Sequence, residues 1–542
     1  MTVTEAPPDA VAIASTSPSA PPAGLAALVG SGDPRTVGKL FVGTSLLFLL
    51  VSGVAGVLIG FERVDTSGAD VLDAGVLSQV YTLHSVSGLL LVVLPLLVGL
   101  ATAVVPLQVG ASTVAFPRAS AAAYWTYLVS GGLMLAAFAL DGGPFGSDAD
   151  AVVLFVAALI ALVVALCVAT ISVVTTVLTL RAPGMTLRRT PLFSWSLLVA
   201  GVVWLLTLPV LAAMMLLAYV DLRYGQQFLG GSDGLYNRIA WVFWQPTVYA
   251  FAVPALGIIA DVVPVFAQRR HHRHGLAMGL VGLFGALGFG AWVQLGVTVD
   301  GSGDAPTPWR FEGPWIVVGV MALLPVLGLL GLWTTTLRRG RVKLAGPLLL
   351  ALVAGMLLVV GVGAGVATVV ESADLVGTTW MTAQANAVLI GTLTAAFAGL
   401  AFWAPKLYGK VLPDGLVGLS GLLLLLGTLA YVVPDGASGV LDQMRFVAGG
   451  ADDLADADVD TVELLNLISA IGGVVVVAGV LAFLAAVASR RRGPVGDDPW
   501  TGHTLEWATA SPPPVGNFAS LPEITSEAPL YDARHAATEA AP

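Results

Sequence analysis

The stretch that decides the fold runs from Tyr81 to Arg118 and reads YTLHSVSGLLLVVLPLLVGLATAVVPLQVGASTVAFPR. Its apolar run is long enough, as a helix, to cross a hydrocarbon core of about 30 Å. Lipid offers no hydrogen-bonding partners to the backbone, so such a run must satisfy its own N–H and C=O groups. The stretch therefore predicts a transmembrane helix.

Apolar runs of this kind recur along the whole chain. Of its 542 residues, 57% are hydrophobic and only 11% are charged, which is not the composition of a soluble globular protein. The 63 glycines allow membrane helices to approach one another closely. We expect a disordered tail over 1–38, an all-α membrane domain over 39–490, and a polar, extended cytoplasmic tail over 491–542. The twelve predicted spans lie at about 39–60, 80–105, 120–140, 151–180, 193–220, 239–264, 275–297, 313–337, 345–368, 378–405, 415–434 and 463–489.

The basic residues indicate an orientation for this bundle. With the N-terminus inside, sixteen Lys and Arg residues fall on the inner side and five fall in the outer connections. This asymmetry matches the positive-inside rule and predicts that both termini are cytoplasmic. The cluster RRHHRHG, 269–275, then reads as a basic inner loop that sets topology, with a metal or anionic-lipid site as the alternative.

The last outer connection is acidic and reads GADDLADADVDTVE over 450–463. An acidic outer face could steer a basic partner such as a small electron carrier. A solvated loop is the simpler interpretation. No motif in the chain indicates nucleic-acid binding.

Six stretches, in the same order along the chain, resemble subunit I of the haem–copper oxidases, the catalytic subunit of bacterial cytochrome c oxidase. The resemblance covers nearly all of the chain beyond residue 38. It implies the twelve-helix fold of that subunit and a multi-pass position in a bacterial plasma membrane. The stretches are 81–118, LRAPGMTLRRTPLFSW (180–195), PTVYAFAVPALGIIADVVPVF (246–266), AFAGLAFWAPKLYGK (396–410), LLNLISAIG (464–472) and DPWTGHTLEWATASPPP (498–514).

His84 is the candidate haem ligand. The resemblance implies that this position supplies one axial ligand of a low-spin haem. His84 is also the only histidine within a predicted span, and an ionisable residue inside a membrane is a functional candidate by default. A neutral imidazole that hydrogen-bonds a neighbouring helix is the alternative. The chain therefore offers a site for at most one haem, at His84.

The tenth span departs from the family pattern at two haem-ligand positions. The family carries AHFHYVL there, whereas this chain reads AQANAVL over 383–389. The resemblance places Gln384 where the high-spin haem ligand stands and Asn386 where the second low-spin ligand stands. An amide oxygen is a poor iron ligand beside imidazole. A haem at His84 would then lack its usual sixth ligand.

The copper-ligand positions depart from the pattern as well. Gln245 in QPTVY stands where the family has its first copper-binding histidine, and Gln294 and Leu295 in FGAWVQLGV stand at the following histidine pair. Copper prefers imidazole nitrogen, so copper is not expected. Tyr249, which the resemblance implies is joined to the copper-binding histidine in active relatives, remains here as a packing or hydrogen-bonding residue.

Two positions that carry protons in many relatives are threonines in this chain. Thr113 stands where those relatives have the aspartate that opens a proton channel, and Thr247 stands where many have a relay glutamate. A threonine hydroxyl cannot take up and release a proton near neutral pH.

Three functional hypotheses follow. The leading hypothesis is a degenerate subunit I paralogue with a structural or regulatory role, assembled with other oxidase-type subunits in the lipid bilayer. The second is an active, atypical terminal oxidase that passes electrons from cytochrome c to oxygen. The third is a membrane protein that binds a single haem at His84. A cytochrome c-like carrier would meet the acidic outer face.

Overall fold

The computed structural model describes residues 24, 28–65, 72–143, 146–228, 235–290, 308–368, 375, 377–444, 459–489 and 495–539. The side chains of the helical residues are described except at positions 74, 235–247, 289–290, 308–316, 318–319 and 537–539. Of the sequence-predicted site residues, Gln294 and Leu295 lie outside the described residues. Gln245 and Thr247 lie on a described helix, but their side chains are outside the description.

Twelve long helices follow one another along the described chain. The second is continuous but changes character, being α-helical over Ala74–Val86, π-helical over Ser87–Val93 and α-helical again over Leu94–Val109; we call all of it α2. The others are α1 (Pro34–Glu62), α3 (Pro117–Ala139), α4 (Ala149–Thr179), α5 (Leu192–Tyr224), α6 (Leu235–Phe266), α7 (His274–Gly290), α8 (Pro308–Arg339), α9 (Gly346–Ala367), α10 (Thr379–Tyr408), α11 (Asp414–Val440) and α12 (Val459–Ala488).

The predicted all-α membrane bundle is confirmed. Among the described residues, eleven of these helices are long and apolar enough to cross a membrane. The remaining one, α7, is apolar but shorter, because residues 291–297 of the predicted span 275–297 lie outside the described residues.

Three helices form the centre of the bundle. In α2, α6 and α10, 89–94% of the 18 most apolar consecutive residues are buried, against 33–56% in the other spanning helices. A helix that is hydrophobic all round suits such a position, since each of its faces meets another helix. The outer helices instead turn apolar side chains outward, such as Leu47 on α1, which is 67% exposed. The bundle is therefore built to be surrounded by lipid.

The π-helical turn of α2 ends next to a proline. Pro95 has no N–H to give, so the carbonyl of Leu91 loses its usual donor four residues ahead. The hydroxyl of Tyr127, on α3, donates to that carbonyl at 2.7 Å. An unsatisfied carbonyl would be costly in a membrane interior, so this bond stabilises the irregular turn. The turn follows directly after the predicted site residue His84.

The C-terminal segment, 495–539, is folded, which corrects the predicted extended tail. It contains a 3₁₀ turn over Leu505–Ala508 and a helix, α13, over Pro529–Glu539. It packs on the end of the bundle where α2, α6 and α10 end, which we call the covered end. Leu505 and Trp507 are buried there, and the indole of Trp500 donates to the carbonyl of Phe402 at 2.9 Å. Apolar anchors between polar residues explain why composition alone missed this packing.

The basic loop after α6 also contacts the C-terminal segment. Arg270 pairs with Glu527 at 3.1 Å and with Asp532 at 3.2 Å. Burial, with the neighbouring His274, lowers the pKa of His271 to about 4, so this imidazole is neutral at pH 7. The cluster predicted as a topology signal thus also holds a packed segment.

The predicted N-terminal tail is too long by five residues. Helix α1 begins at Pro34, and the side chain of Asp33 accepts from the backbone N–H of Thr36 at 3.1 Å. An aspartate cap followed by proline at the first helical position is a strong helix start.

Candidate functional site

His84 is held rigidly against α1. Its Nδ1 lies 2.8 Å from the carbonyl oxygen of Ser52, and a carbonyl can only accept, so Nδ1 carries the proton. The ring lies directly over Gly56, where a Cβ would come within 2.7 Å of Cε1. This tautomer leaves the lone pair on Nε2, for which the described residues provide no hydrogen bond. Such an Nδ1–H to carbonyl bond is how proteins orient a metal-binding imidazole.

The part of α2 that carries His84 is less buried than the rest of the helix. Residues 80–86 all keep part of their surface accessible, whereas 89–109 are buried throughout. Successive accessible positions go all round the helix, so this part of α2 is more loosely packed than the buried part. With a fixed tautomer and a free Nε2, His84 fits one axial haem ligand on the observations of this structure.

Gln384 and Tyr249 are in direct contact. The Nε2 of Gln384, on α10, donates to the hydroxyl of Tyr249, on α6, at 3.0 Å. Both groups lie against Gly365 on α9, which has no side chain. A Cβ there would lie 2.2 Å from the Tyr249 hydroxyl and 2.7 Å from the Gln384 amide. The ring of Tyr249 packs edge-on against Phe284, with centroids 5.8 Å apart. Four helices are therefore in contact around this hydrogen bond.

Asn386 points away from Gln384 and bonds a different tyrosine. Its Nδ2 donates to the hydroxyl of Tyr431, on α11, at 3.0 Å. No hydrogen bond in the described part of the chain joins Asn386 to His84. The structure thus separates the two tenth-span amides and gives each its own phenol.

A buried ion pair lies beside Tyr431, and the sequence reasoning did not find it. Arg63 at the end of α1 and Asp435 on α11 are 3.4 Å apart, with the aspartate side chain fully buried. The hydroxyl of Ser469 donates to Asp435 at 2.8 Å, and the Nδ2 of Asn466 donates to the carbonyl of Arg63 at 2.7 Å. The predicted span 415–434 stops one residue before this carboxylate, whereas the helix continues to Val440, and a charge inside a span needs a partner.

Thr113 lies in the connection between α2 and α3 and is half-buried. It is remote in the fold from the contact between Tyr249 and Gln384, because that connection follows the covered end of α2, whereas Gln384 lies near the start of α10. The structure therefore does not gather all predicted positions into one cluster. It brings Tyr249 and Gln384 together and leaves His84, Asn386 and Thr113 apart from them.

Comparison with known proteins decides the family. A sequence profile described as "Cytochrome C and Quinol oxidase polypeptide I" matches residues 36–475. The chain belongs to this family. Cytochrome c oxidase subunit 1 of Bacillus subtilis is 30% identical over 92% of this chain and 82% of its own length. The corresponding subunit of Corynebacterium efficiens is also 30% identical, over 92% of this chain and 88% of its own length.

A solved structure has the same fold. This chain is similar to a chain of a haem–copper terminal oxidase dimer, with a TM-score of 0.67, 16% identity and coverage of 85% of both chains. As a subunit I-type family member with many apolar helices and bacterial relatives, the protein is a multi-pass plasma membrane protein. The family is one of haem proteins whose members work together with other oxidase subunits.

Proposed function

We propose that this family member no longer reduces oxygen and acts as a structural or regulatory paralogue of oxidase subunit I. The observation that carries the proposal is the 3.0 Å hydrogen bond between Gln384 and Tyr249, seated over Gly365.

The geometry argues against a high-spin haem between these residues. In the family resemblance, position 384 binds the haem iron, and the tyrosine at 249 belongs to the copper side. A high-spin haem held from position 384 would have to fit between the two side chains. An aromatic plane needs van der Waals contact of about 3.5 Å on each face, or about 7 Å in total. A separation of 3.0 Å leaves no room for it.

The chemistry of the donor set supports the same conclusion. Amide side chains at Gln245, Gln294 and Gln384 are poor replacements for imidazole toward copper and iron, and Leu295 has no donor atom. Losing a second-shell partner alone costs about 10–100-fold in metal affinity or activity, and these positions are primary ligands in the family pattern. Copper chemistry therefore has no fitting ligand set in this sequence.

The two positions that carry protons in many relatives support the proposed loss of oxygen reduction. Thr113 and Thr247 stand at two positions where many relatives have carboxylates. A hydroxyl at either position does not ionise near neutral pH, so it cannot store and release a proton as a carboxylate does. We propose that the protein does not pump protons by those routes.

A single haem at His84 is the second candidate function. The fixed Nδ1–H tautomer, the free Nε2 and the accessible surface of 80–86 favour it. Bound haem would supply one-electron transfer at this position. His84 would supply one axial nitrogen, Ser52 would hold the ring through its carbonyl, and Asn386 would remain bonded to Tyr431.

We further propose an orientation and partners. The basic bias of the inner connections favours both termini in the cytoplasm. The covered end would then be the inner end, and the acidic stretch 450–463 would face outward. That face suits a cytochrome c-like carrier by charge, and exposed apolar helix faces such as that of α1 suit lipid or other oxidase-type subunits.

Absorbance spectra with iron and copper analysis of the purified protein test these proposals. We expect no copper, no high-spin haem and no oxygen consumption with reduced cytochrome c. Two haems and copper per chain would overturn the proposal and establish an active oxidase. One haem that is lost in His84→Ala and kept in the exposed control His535→Ala would establish the single-haem function.

A further inference from the structure

A buried amide at the covered end donates to two carboxylates at once. The Oε1 of Gln108, at the end of α2, accepts from the hydroxyl of Ser194 at 2.7 Å, which fixes the orientation of the amide. Its Nε2 then donates to Asp261 on α6 at 2.9 Å and to Glu506 in the C-terminal segment at 3.2 Å. Gln108 and Glu506 are fully buried, and Asp261 nearly so.

Asp261 is well placed to carry a negative charge. Its two oxygens accept from the backbone N–H groups of Leu192 at 2.9 Å and Phe193 at 3.1 Å, in addition to Gln108. These N–H groups are the unpaired donors at the start of α5, where the helix dipole also favours an anion. Three donors satisfy an ionised carboxylate at this position.

Glu506 has a different environment. Its Oε1 accepts from Gln108 and from the indole of Trp403 at 3.1 Å. Its Oε2 is buried and makes no hydrogen bond within the described chain. An ionised Glu506 would therefore place a second negative charge on the same amide while leaving one anionic oxygen unsatisfied. Like charges that share a site do not both ionise, so the less satisfied one keeps its proton.

We infer that Glu506 is a buried proton-binding site, protonated while the C-terminal segment is packed on the bundle, and that loss of this proton weakens the packing. The inference does not depend on the proposed loss of oxygen reduction. It assigns a titrating group to a segment that the sequence predicted to be a polar tail.

Charged and titratable groups of α10 and of the C-terminal segment surround Glu506. Lys406 on α10 is fully buried, and its Nζ donates to the carbonyls of Asp497 at 2.9 Å and Thr509 at 2.5 Å. Its positive charge faces Glu506 as well as Asp498 and Asp497 of the segment, so it is shared among three carboxyl groups. Within the segment, Arg534 pairs with Asp498 at 3.0 Å. Burial lowers the pKa of His503 to about 3, so that side chain is neutral.

The sign of the pH effect follows from linkage. Burial is the main cause that raises the pKa of Glu506 above its ordinary value. A pKa raised in the packed state stabilises packing fully below the ordinary glutamate pKa. That stabilisation is lost as pH rises through the raised pKa. The packing equilibrium should fall about tenfold for each unit by which the pKa is raised.

Infrared spectroscopy and hydrogen exchange of the full-length protein in detergent test the inference. We expect a protonated-carboxyl band at pH 7 that disappears in Glu506→Gln and persists in the exposed control Glu523→Gln. After correction for intrinsic rates, amides of 495–539 should exchange faster at pH 9 than at pH 6 in the wild type and in Glu523→Gln, by up to about tenfold for each unit by which the pKa of Glu506 is raised. Glu506→Gln, which mimics the neutral acid, should remove this difference.

Two results would overturn the inference. The first is a carboxyl band that persists in Glu506→Gln but disappears in Asp261→Asn, which would place the proton on Asp261. The second is exchange of the segment with the same pH dependence in the wild type and in Glu506→Gln. If Glu506→Gln does not fold, a wild-type carboxyl band that is absent at pH 7 would overturn it equally.

Discussion

Replacing Gly365 by alanine probes whether the space between α6, α9 and α10 is closed. A Cβ at this position would lie 2.2 Å from the hydroxyl of Tyr249 and 2.7 Å from the amide of Gln384. The phenol cannot swing away freely, because its ring packs against Phe284 and its own Cβ lies 3.0 Å from where a Cβ at Gly288 would be. Overpacking of this kind costs about 1–3 kcal/mol. The lost interhelical hydrogen bond adds about 0.6 kcal/mol.

Gly363→Ala is the matched control. It lies on the same helix two residues earlier, and a Cβ there would meet nothing within 4 Å. Alanine is favoured over glycine in a helix by about 1 kcal/mol, so this variant should be as stable as the wild type or more stable. Gly365→Ala gains the same helical preference but loses more to the clash. The two variants should therefore differ by about 1.6–3.6 kcal/mol, the overpacking and the lost hydrogen bond together.

Thermal unfolding in detergent, followed by tryptophan fluorescence, measures the difference. We expect a lower midpoint for Gly365→Ala than for Gly363→Ala, and partial recovery when Tyr249→Phe removes the hydroxyl from the Gly365→Ala variant. Equal midpoints for the two alanine variants would refute the reasoning. That result would mean that the space beside Gly365 is open in solution, as a haem pocket would require.

Three further variants test other contacts. Asp435→Asn leaves Arg63 without its buried charge partner and should lower the free energy of unfolding by about 3 kcal/mol. This is near the low end for a buried pair, because the arginine keeps some exposure. An unchanged unfolding midpoint would contradict this. Lys406→Met removes the ammonium group that donates to carbonyls of the C-terminal segment. A hydrogen bond from a charged group contributes about 1.5–3 kcal/mol, so protease should cleave the segment faster in this variant. Equal cleavage of the variant and the wild type would contradict this. Gly56→Ala places a Cβ 2.7 Å from His84 and should lower the unfolding midpoint and any haem absorbance, whereas unchanged values would exclude a tight fit there.

The membrane fold could be predicted from the sequence because its signal is local. Each spanning helix satisfies its own backbone, so a long apolar run identifies it without knowledge of its neighbours. The same reasoning failed for 495–539, where packing depends on a few anchors such as Trp500, Leu505 and Lys406 that meet distant helices. It also placed the start of α1 too late, since the apolar run begins after the capping residues Asp33 and Pro34.

The candidate site was predictable in its positions but not in its contacts. Family motifs located His84, Gln384 and Asn386, because those motifs fix residue number along a helix. They could not show that Gln384 would bond Tyr249 or that Asn386 would bond Tyr431, since each partner comes from another helix. Hydrogen-bonded pairs between helices depend on how each helix is rotated about its axis and on how deep each residue lies in the bundle. Only the packed bundle determines both.

The π-helical turn over Ser87–Val93 has a consequence for insertions and deletions in α2. A π-helical turn accommodates an extra residue in a helix without changing the faces presented on either side of it. Deleting one residue within the turn should therefore restore regular α-helix and leave both halves of α2 facing their present neighbours. Deleting one residue from the middle of the buried half, Leu94–Val109, would instead rotate the residues between the deletion and the turn by about 100° relative to the rest of α2. Gaps in alignments of this helix with its relatives belong inside the turn, and chimaeras should be joined there.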